Sequence, residues 1–149
     1  MRIAIGADHG GYALKEKIKL GVAAEWIDVG AFNEESSNYA EFAQAVAEKV
    51  QAHEADFGII ICRSGIGVSI AANRYKNIYA ALCINHAMAI SARSHNNANI
   101  LCIAADYTSY DEAQEMIHQF LSTAFEAGGR HEIRVRSINK QGTWKPTRR

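Results

Sequence analysis

The sequence has little proline, little cysteine and no net charge. Of its 149 residues, one is proline, three are cysteine and 9% are aromatic, while 16 basic side chains balance 16 acidic ones. All apolar runs are much shorter than the roughly 20 residues that span a bilayer, so we expect no membrane protein. The length and the 48% hydrophobic content are typical of one globular domain with a complete core.

The cysteines indicate a reducing compartment. Cys62, Cys83 and Cys102 are odd in number, widely spaced and set in or beside apolar runs. This pattern argues against a disulfide framework and against a zinc site. Residues 1–5 are typical of a short strand rather than of a signal peptide. We therefore expect a cytoplasmic protein with free thiols.

Charge is distributed unevenly along the chain. From Arg130 onward, seven Lys and Arg accompany the single acid Glu132, so this end carries +6 and the preceding residues carry −6. A basic end can neutralise phosphate, and we assign that role to Arg130 and Arg134. Residues 140–149 are predicted to form a flexible basic tail. Because no aromatic–basic interleaving accompanies the charge, we expect no nucleic-acid binding.

Short apolar runs alternate with helical patterns along the chain. The predicted strands are 3–5, 25–29, 57–62, 79–83 and 99–104. The predicted helices are 11–24, 39–53, 69–74, 87–94, one with inward positions 113, 116, 117, 120 and 121, and a last one at about 128–139. Strict alternation predicts an α/β protein with a five-stranded parallel sheet between two helical layers, a three-layer, Rossmann-like fold. We predict one domain, residues 1–139.

The segment Cys62-Arg63-Ser64-Gly65-Ile66-Gly67 lies where a buried strand meets a helix, which is where ligands bind in open α/β sheets. Its glycines allow bare backbone to approach a ligand, and the helix start directs N–H groups at negative charge. The dinucleotide fingerprint requires a third glycine at the position of Ile70, and no Gly-Lys-Ser/Thr follows, so neither nucleotide motif is present. The alternative is that Cys62 only packs in the core.

Polar side chains also follow or precede other predicted strands. Asp8 and His9 follow strand one, whereas His95 and Asn96 precede strand five and must approach from the opposite edge or from another subunit. An acid, a thiol, a hydroxyl and imidazoles together fit proton transfer beside a carbonyl. Each has a simpler alternative, since Asp8 can cap the first helix and the histidines, His131 included, can be surface residues.

Four blocks of sequence carry a resemblance to a known family. They are IGADHGG at residues 5–11, CRSGIG with SIAAN at 62–73, SARSHN with AN at 91–99, and GGRH with RV at 128–135. In this order and spacing they resemble the ribose-5-phosphate isomerase B family, which also includes allose- and galactose-phosphate isomerases. The resemblance covers about residues 1–139 and implies aldose–ketose isomerisation of a sugar phosphate through an enediolate, with neither a cofactor nor a metal.

The resemblance also implies roles for individual residues. Cys62 is the base that moves the proton between C1 and C2, assisted by the hydroxyl of Ser64, and His95 with Asp8 opens the sugar ring. The other implied site residues bind substrate. The backbone N–H groups of Gly65, Ile66 and Gly67 bind the enediolate oxygen. The sugar hydroxyls are oriented by Tyr39 and Asn96, and the phosphate is bound by His9, Arg130 and Arg134. Val68 stands where another branch of the family has a glutamate base, so the chain resembles the cysteine branch.

Family members are homodimers whose active sites use residues of both subunits, so we expect a homodimer, or a tetramer of such dimers, with the last helix packed on the partner. The expected substrate is ribose 5-phosphate, giving ribulose 5-phosphate. The alternatives are a six-carbon sugar phosphate, such as allose or galactose 6-phosphate, and a non-catalytic sugar-phosphate-binding module. A flavodoxin-like electron carrier is not favoured, because the loop after strand one carries the acid Asp8.

Several positions depart from the family pattern. Arg63 replaces a glycine, Ser64 a threonine common in relatives, and Asn97 an aspartate. Asn38-Tyr39-Ala40 replaces Asp-Tyr-Pro. Asp106 lies where many relatives carry an arginine that holds phosphate, so phosphate binding is weakened unless Asp106 points away or Arg63 compensates.

Overall fold

The computed structural model describes residues 1–140 of the chain. Within this range lie five strands, β1 (Arg2–Ala7), β2 (Glu25–Asp28), β3 (Phe57–Cys62), β4 (Ala80–Leu82) and β5 (Ile100–Ala104). All of them are parallel and form one sheet in the order β2-β1-β3-β5-β4. The same range contains six helices, α1 (Tyr12–Gly21), α2 (Tyr39–Gln51), α3 (Ile66–Ala72), α4 (His86–Asn96), α5 (Tyr110–Ser122) and α6 (Arg130–Ile138).

The sheet is buried on both faces, as its nearly continuous apolar strands predict. One face packs on α1, α4 and α5, with Ile5, Ile59 and Leu101 in its core. The other face packs on α2 and α3, with Ile60 and Cys102 in its core. The predicted three-layer α/β fold with a five-stranded parallel sheet is therefore confirmed.

Local signals explain where the longer helices begin. The side chain of Asn38 accepts a hydrogen bond from the Ala40 N–H at the start of α2, and that of Ser109 accepts one from Glu112 at the start of α5. Helix α3 begins three residues earlier than predicted, since Gly65 adopts φ +70° and turns the chain at once. Helix α1 ends at Gly21 instead of continuing to residue 24, because Val22 is already extended.

No helix in residues 1–140 combines the length and apolarity needed to cross a membrane. Helix α6 contacts α4 in the same chain, whereas its packing on a partner stays a prediction. Lys140 is the first residue of the predicted basic tail, and the other residues of that tail, 141–149, lie outside the described residues.

Candidate active site

The carboxyl ends of β1 and β3 meet at one edge of the sheet. Ala7 pairs with Ile61 in the sheet register, and the N–H of Asp8 donates to the Ile61 carbonyl at 3.2 Å. This geometry brings the Asp8-His9 loop beside Cys62, as the sequence predicts. We call the Asp8-His9 loop, Cys62 and the loop that follows Cys62 the carboxyl-edge site.

The thiol of Cys62 lies at the centre of the carboxyl-edge site. Its Sγ accepts a hydrogen bond from the Gly65 N–H at 3.2 Å, and Cys62 is only 4% exposed. The Ile66 N–H donates to the Ser64 hydroxyl oxygen at 3.2 Å. A Cβ on Gly65 would lie 2.4 Å from a methyl of Leu82, so this turn accommodates glycine alone. The loop thus directs backbone N–H groups at the sulfur and at the hydroxyl, where negative charge can be stabilised.

The other two cysteines lie in surroundings that keep their thiols protonated. Burial raises the pKa of Cys83 to about 11. Burial also raises the pKa of Cys102, which has no exposed surface. Because a thiolate is the reactive form, neither is suited to act as a base, and Cys62 is the candidate that the geometry favours.

Asp8 and His9 are held by different partners. One oxygen of the buried Asp8 carboxylate accepts the N–H groups of Gly10 and Gly11 at 3.0 and 3.1 Å, so this residue does shape the turn before α1. The Nδ1 of His9 accepts the Ser37 N–H at 3.2 Å, while the His9 N–H donates to the Ser37 hydroxyl at 3.1 Å. This pairing assigns the proton of a neutral His9 ring to Nε2, which can then donate to an anion.

Arg63 and Tyr39 form the rim of the carboxyl-edge site. The stem of Arg63 crosses Gly10, where a Cβ would lie 2.5 Å from the arginine Cγ. Its guanidinium Nη1 lies 3.4 Å from an Asp106 carboxylate oxygen, and both side chains are about half exposed. The ring of Tyr39 lies against Gly67 in the first turn of α3. Asp106 therefore contacts Arg63.

The other predicted site residues lie elsewhere in the chain. His95 and Asn96 end α4, and Arg130 and Arg134 belong to α6, which packs on α4. Strand β5 enters the sheet beside Gly58, four residues before Cys62. At about 3.3 Å per residue, the end of α4 is therefore separated from the thiol by more than about 13 Å along the sheet. A cavity of about 770 Å³ opens at this opposite edge beside Asn96.

His131 has surroundings that the sequence did not reveal. Its ring stacks on that of His95 with centroids 4.2 Å apart and 11° between the planes, and its Nε2 lies 3.5 Å from a Glu126 carboxylate oxygen. Desolvation, with the nearby His95 and Arg130, lowers its pKa. His131 is therefore more than an isolated surface residue, because it packs against His95.

Sequence reasoning also missed a buried ion pair that supports the carboxyl edge. The fully buried Lys15 ammonium donates to both Asp28 oxygens, at 2.7 and 2.9 Å, and to the Ala31 carbonyl at 2.6 Å. Burial opposes the charge of Asp28, but hydrogen bonds from Lys15 and Lys19 outweigh it and lower the pKa. The Ala31 N–H in turn donates to Ala7, the last residue of β1. Lys15 shares one face of α1 with Ile18, which is the only sequence signal of its burial.

The fold and the carboxyl edge define an α/β protein with one buried cysteine thiol held by a backbone N–H at the carboxyl end of its parallel sheet. A family model described as Ribose/Galactose Isomerase matches residues 3–138. The chain belongs to the ribose/galactose isomerase family, which confirms the resemblance found in the four sequence blocks.

Individual relatives agree with this assignment. The chain is 41% identical to a putative sugar phosphate isomerase of Rickettsia bellii over 143 residues, covering 91% of this chain and 96% of the relative. It is 36% identical to ribose-5-phosphate isomerase B of Escherichia coli, covering 92% and 93%. The crystal structure of a ribose 5-phosphate isomerase from Thermotoga maritima matches with a TM-score of 0.90 and 48% identity, covering 93% and 97%.

Proposed function

We propose that this protein interconverts ribose 5-phosphate and ribulose 5-phosphate. The observation that carries the proposal is the Cys62 sulfur, which is held by the Gly65 N–H at the carboxyl end of β3 in a chain of this family. A module that only binds a sugar phosphate requires no thiol in this position, because binding needs hydrogen bonds and charge but no base.

Cys62 acts as the base of the isomerisation. Its thiolate takes the proton from C2 of the open-chain aldose while the carbonyl oxygen on C1 becomes negative, which gives an enediolate. The N–H groups of the loop from Ser64 to Gly67, with the Ser64 hydroxyl, stabilise this charge. The thiol then returns the proton to C1, the hydroxyl proton on the C2 oxygen passes to the negatively charged oxygen on C1, and a ketone forms at C2.

Four cationic or donor groups recognise the phosphate. His9 presents Nε2 because Ser37 holds Nδ1, and Arg63 lies across the adjacent Gly10. Arg130 and Arg134 supply charge from α6. Guanidinium groups bind phosphate through charge-assisted, often bidentate, hydrogen bonds.

The site is complete only in a homodimer. His95 opens the sugar ring together with Asp8, and Asn96 and Tyr39 orient hydroxyls, but His95 and Asp8 lie at opposite edges of one sheet. A two-fold axis can bring the α4 end of one protomer to the carboxyl edge of its partner. The separation within one chain supports this assembly, and a tetramer would contain two such dimers.

The first experiment measures conversion of ribose 5-phosphate with a chelator present, in the wild type, in Cys62→Ala and in the matched control Cys83→Ala. General bases contribute roughly 10²–10⁴ in rate, so Cys62→Ala should lower kcat by that factor with little change in KM. Cys83→Ala should keep kcat within a few-fold. Retained turnover in Cys62→Ala would remove Cys62 as the base, and wild-type turnover of allose or galactose 6-phosphate alone would indicate a six-carbon substrate.

A second experiment tests the shared site. Cys62→Ala and His95→Ala are each purified in inactive form, mixed and allowed to exchange subunits. Half of the dimers then pair one variant with the other, and one of the two sites in each such dimer is intact. About a quarter of the wild-type activity should therefore return. Absence of any recovery, with exchange verified by mass, would place each site within one chain.

A further inference from the structure

Three side chains that commonly bind metals lie together at the ends of α4 and α6. The Nδ1 or Nε2 atoms of His95 and His131 and a carboxylate oxygen of Glu126 are all within 4.8 Å of one another. Two of these atoms, the His131 Nε2 and the Glu126 oxygen, are 3.5 Å apart. The mechanism described above uses His95 but assigns no role to Glu126 or His131. We call these three residues the His–Glu cluster.

The donor set of the His–Glu cluster selects a type of ion. Two imidazole nitrogens and one carboxylate oxygen suit Zn²⁺, Co²⁺ and other divalent transition metals, whereas Mg²⁺ and Ca²⁺ prefer oxygen ligands alone. Three protein ligands leave a fourth tetrahedral position for water or for another small ligand. Zinc bound to such a set has ligands at about 2.0–2.2 Å, which places the ligand atoms of a tetrahedral site about 3.3–3.6 Å from one another. The His131 and Glu126 atoms already have this spacing, so His95 is the ligand that has to move closer.

The surroundings of the His–Glu cluster permit that movement. An open cavity of about 400 Å³ is lined by residues 126–131, which leaves room for an ion and its water. Gly128 and Gly129 lie between Glu126 and His131, and a Cβ on either would meet no atom within 4 Å. Nitrogen lone pairs lie in the plane of the imidazole ring, and the two stacked rings are nearly parallel, so one ring has to tilt for both to reach one ion. His95 is exposed. The Glu126 N–H donates to the Ser94 carbonyl at 3.0 Å, which holds Glu126 next to His95.

We propose that His95, His131 and Glu126 form a binding site for one divalent transition-metal ion such as Zn²⁺, and that this ion inhibits the protein. A bound ion occupies a nitrogen lone pair of His95, which then neither accepts nor delivers a proton. The binding site stands on geometry and donor chemistry alone, whereas the inhibition rests on the proposed function, because it requires His95 to open the sugar ring.

Metal binding is measured first, without any substrate. Purified protein is titrated with Co²⁺, whose visible absorption is intense in a tetrahedral site, and Zn²⁺ is then added to displace it. The variant is Glu126→Gln, on an exposed residue whose change leaves the fold intact. The matched control is Glu112→Gln, because the Glu112 carboxylate also lies beside a histidine, 3.0 Å from His86 Nδ1.

The expected result is that each chain binds one Co²⁺. The Co²⁺ affinity should fall at least tenfold in Glu126→Gln, binding should be lost in His131→Gln, and the affinity should be unchanged in Glu112→Gln. The proposal would be overturned if Glu126→Gln and Glu112→Gln lowered the Co²⁺ affinity equally, if the binding depended on Glu112, or if no saturable binding were seen. A sulfur-to-cobalt charge-transfer band would do so as well, since it would place the ion on a thiolate such as that of Cys62.

Inhibition is measured separately with ribose 5-phosphate. Zn²⁺ should abolish wild-type turnover, and Glu126→Gln should require at least ten times more Zn²⁺ for the same loss. Equal inhibition of both proteins would show that zinc acts elsewhere and would overturn the inhibitory role. A protein that binds Co²⁺ as expected but turns over no sugar phosphate would instead contradict the proposed function and leave the metal site standing.

Discussion

Replacement of Arg63 by alanine is expected to weaken phosphate binding while leaving the stability of the fold almost unchanged. The Arg63–Asp106 contact is 3.4 Å long between half-exposed side chains, so its loss should change the free energy of unfolding by less than about 1 kcal/mol. A guanidinium hydrogen-bonded to phosphate contributes about 1.5–3 kcal/mol, which corresponds to roughly a 10- to 150-fold rise in KM. Arg63→Ala should therefore raise KM for ribose 5-phosphate by about that factor with a smaller effect on kcat.

The chain offers a matched control for this change. Arg2 and Asp56 form an ion pair of the same length, 3.4 Å, at the amino end of β1, and both side chains are again partly exposed. Arg2→Ala should change stability as little as Arg63→Ala does and should leave KM unaltered. Steady-state kinetics give KM, and urea unfolding gives stability.

Two results would refute the reasoning on Arg63. If KM in Arg63→Ala stays within twofold of the wild type, the guanidinium does not bind the phosphate. If the variant loses as much efficiency with unphosphorylated ribose as with ribose 5-phosphate, the effect arises from the shape of the Cys62 loop instead.

Three further changes test other parts of the site. Arg134→Ala should raise KM for the phosphorylated sugar while sparing unphosphorylated ribose; equal loss with both would exclude a phosphate role. Gly65→Ala should lower the free energy of unfolding by about 1–3 kcal/mol and should also lower kcat, because φ is +70° and a Leu82 methyl blocks the Cβ. In the control Gly129→Ala, urea unfolding and turnover should both stay unchanged, because no atom lies within 4 Å of the added Cβ. The lowered pKa of Asp28 contributes stability that is complete above its unfolded value of about 3.9 and is lost as pH falls through the folded value. Urea midpoints should therefore fall more steeply below pH about 4 in the wild type than in Asp28→Asn.

The sequence predicts the sheet well for a physical reason. Parallel strands buried on both faces are continuous apolar runs, so β3 is predicted at its observed bounds and β5 to within one residue. The start of α3 is less predictable, because whether the helix begins at Ile66 or at Ser69 depends on the backbone angle of Gly65. Glycine adopts many conformations with similar ease, and only the packed structure selects one of them.

In the candidate site, too, some features are predictable from the sequence and others depend on the packed structure. Cys62 and Asp8 are predictable because Cys62 ends one apolar strand and Asp8 directly follows another. The contact between Ser37 and His9 is not, since it joins residues 28 positions apart through a loop without a periodic pattern. The stacking of His131 on His95 depends similarly on how α6 packs on α4, and no local pattern encodes that packing.

Two departures from the family pattern, Arg63 and Asp106, lie in contact with each other. Considered alone, Asp106 places a carboxylate near an anion and Arg63 places a bulky cation in a loop that is otherwise rich in glycine. They lie 43 residues apart in the sequence but contact each other through the guanidinium and through the Asp106 N–H, which donates to the Arg63 carbonyl. The carboxylate is therefore neutralised where it stands, and its partner guanidinium lies over the loop that carries His9. We therefore propose that Arg63, at the end of β3, is the phosphate-binding cation in place of the arginine that the resemblance implies after β5, so that the proposed reaction needs no cation at residue 106.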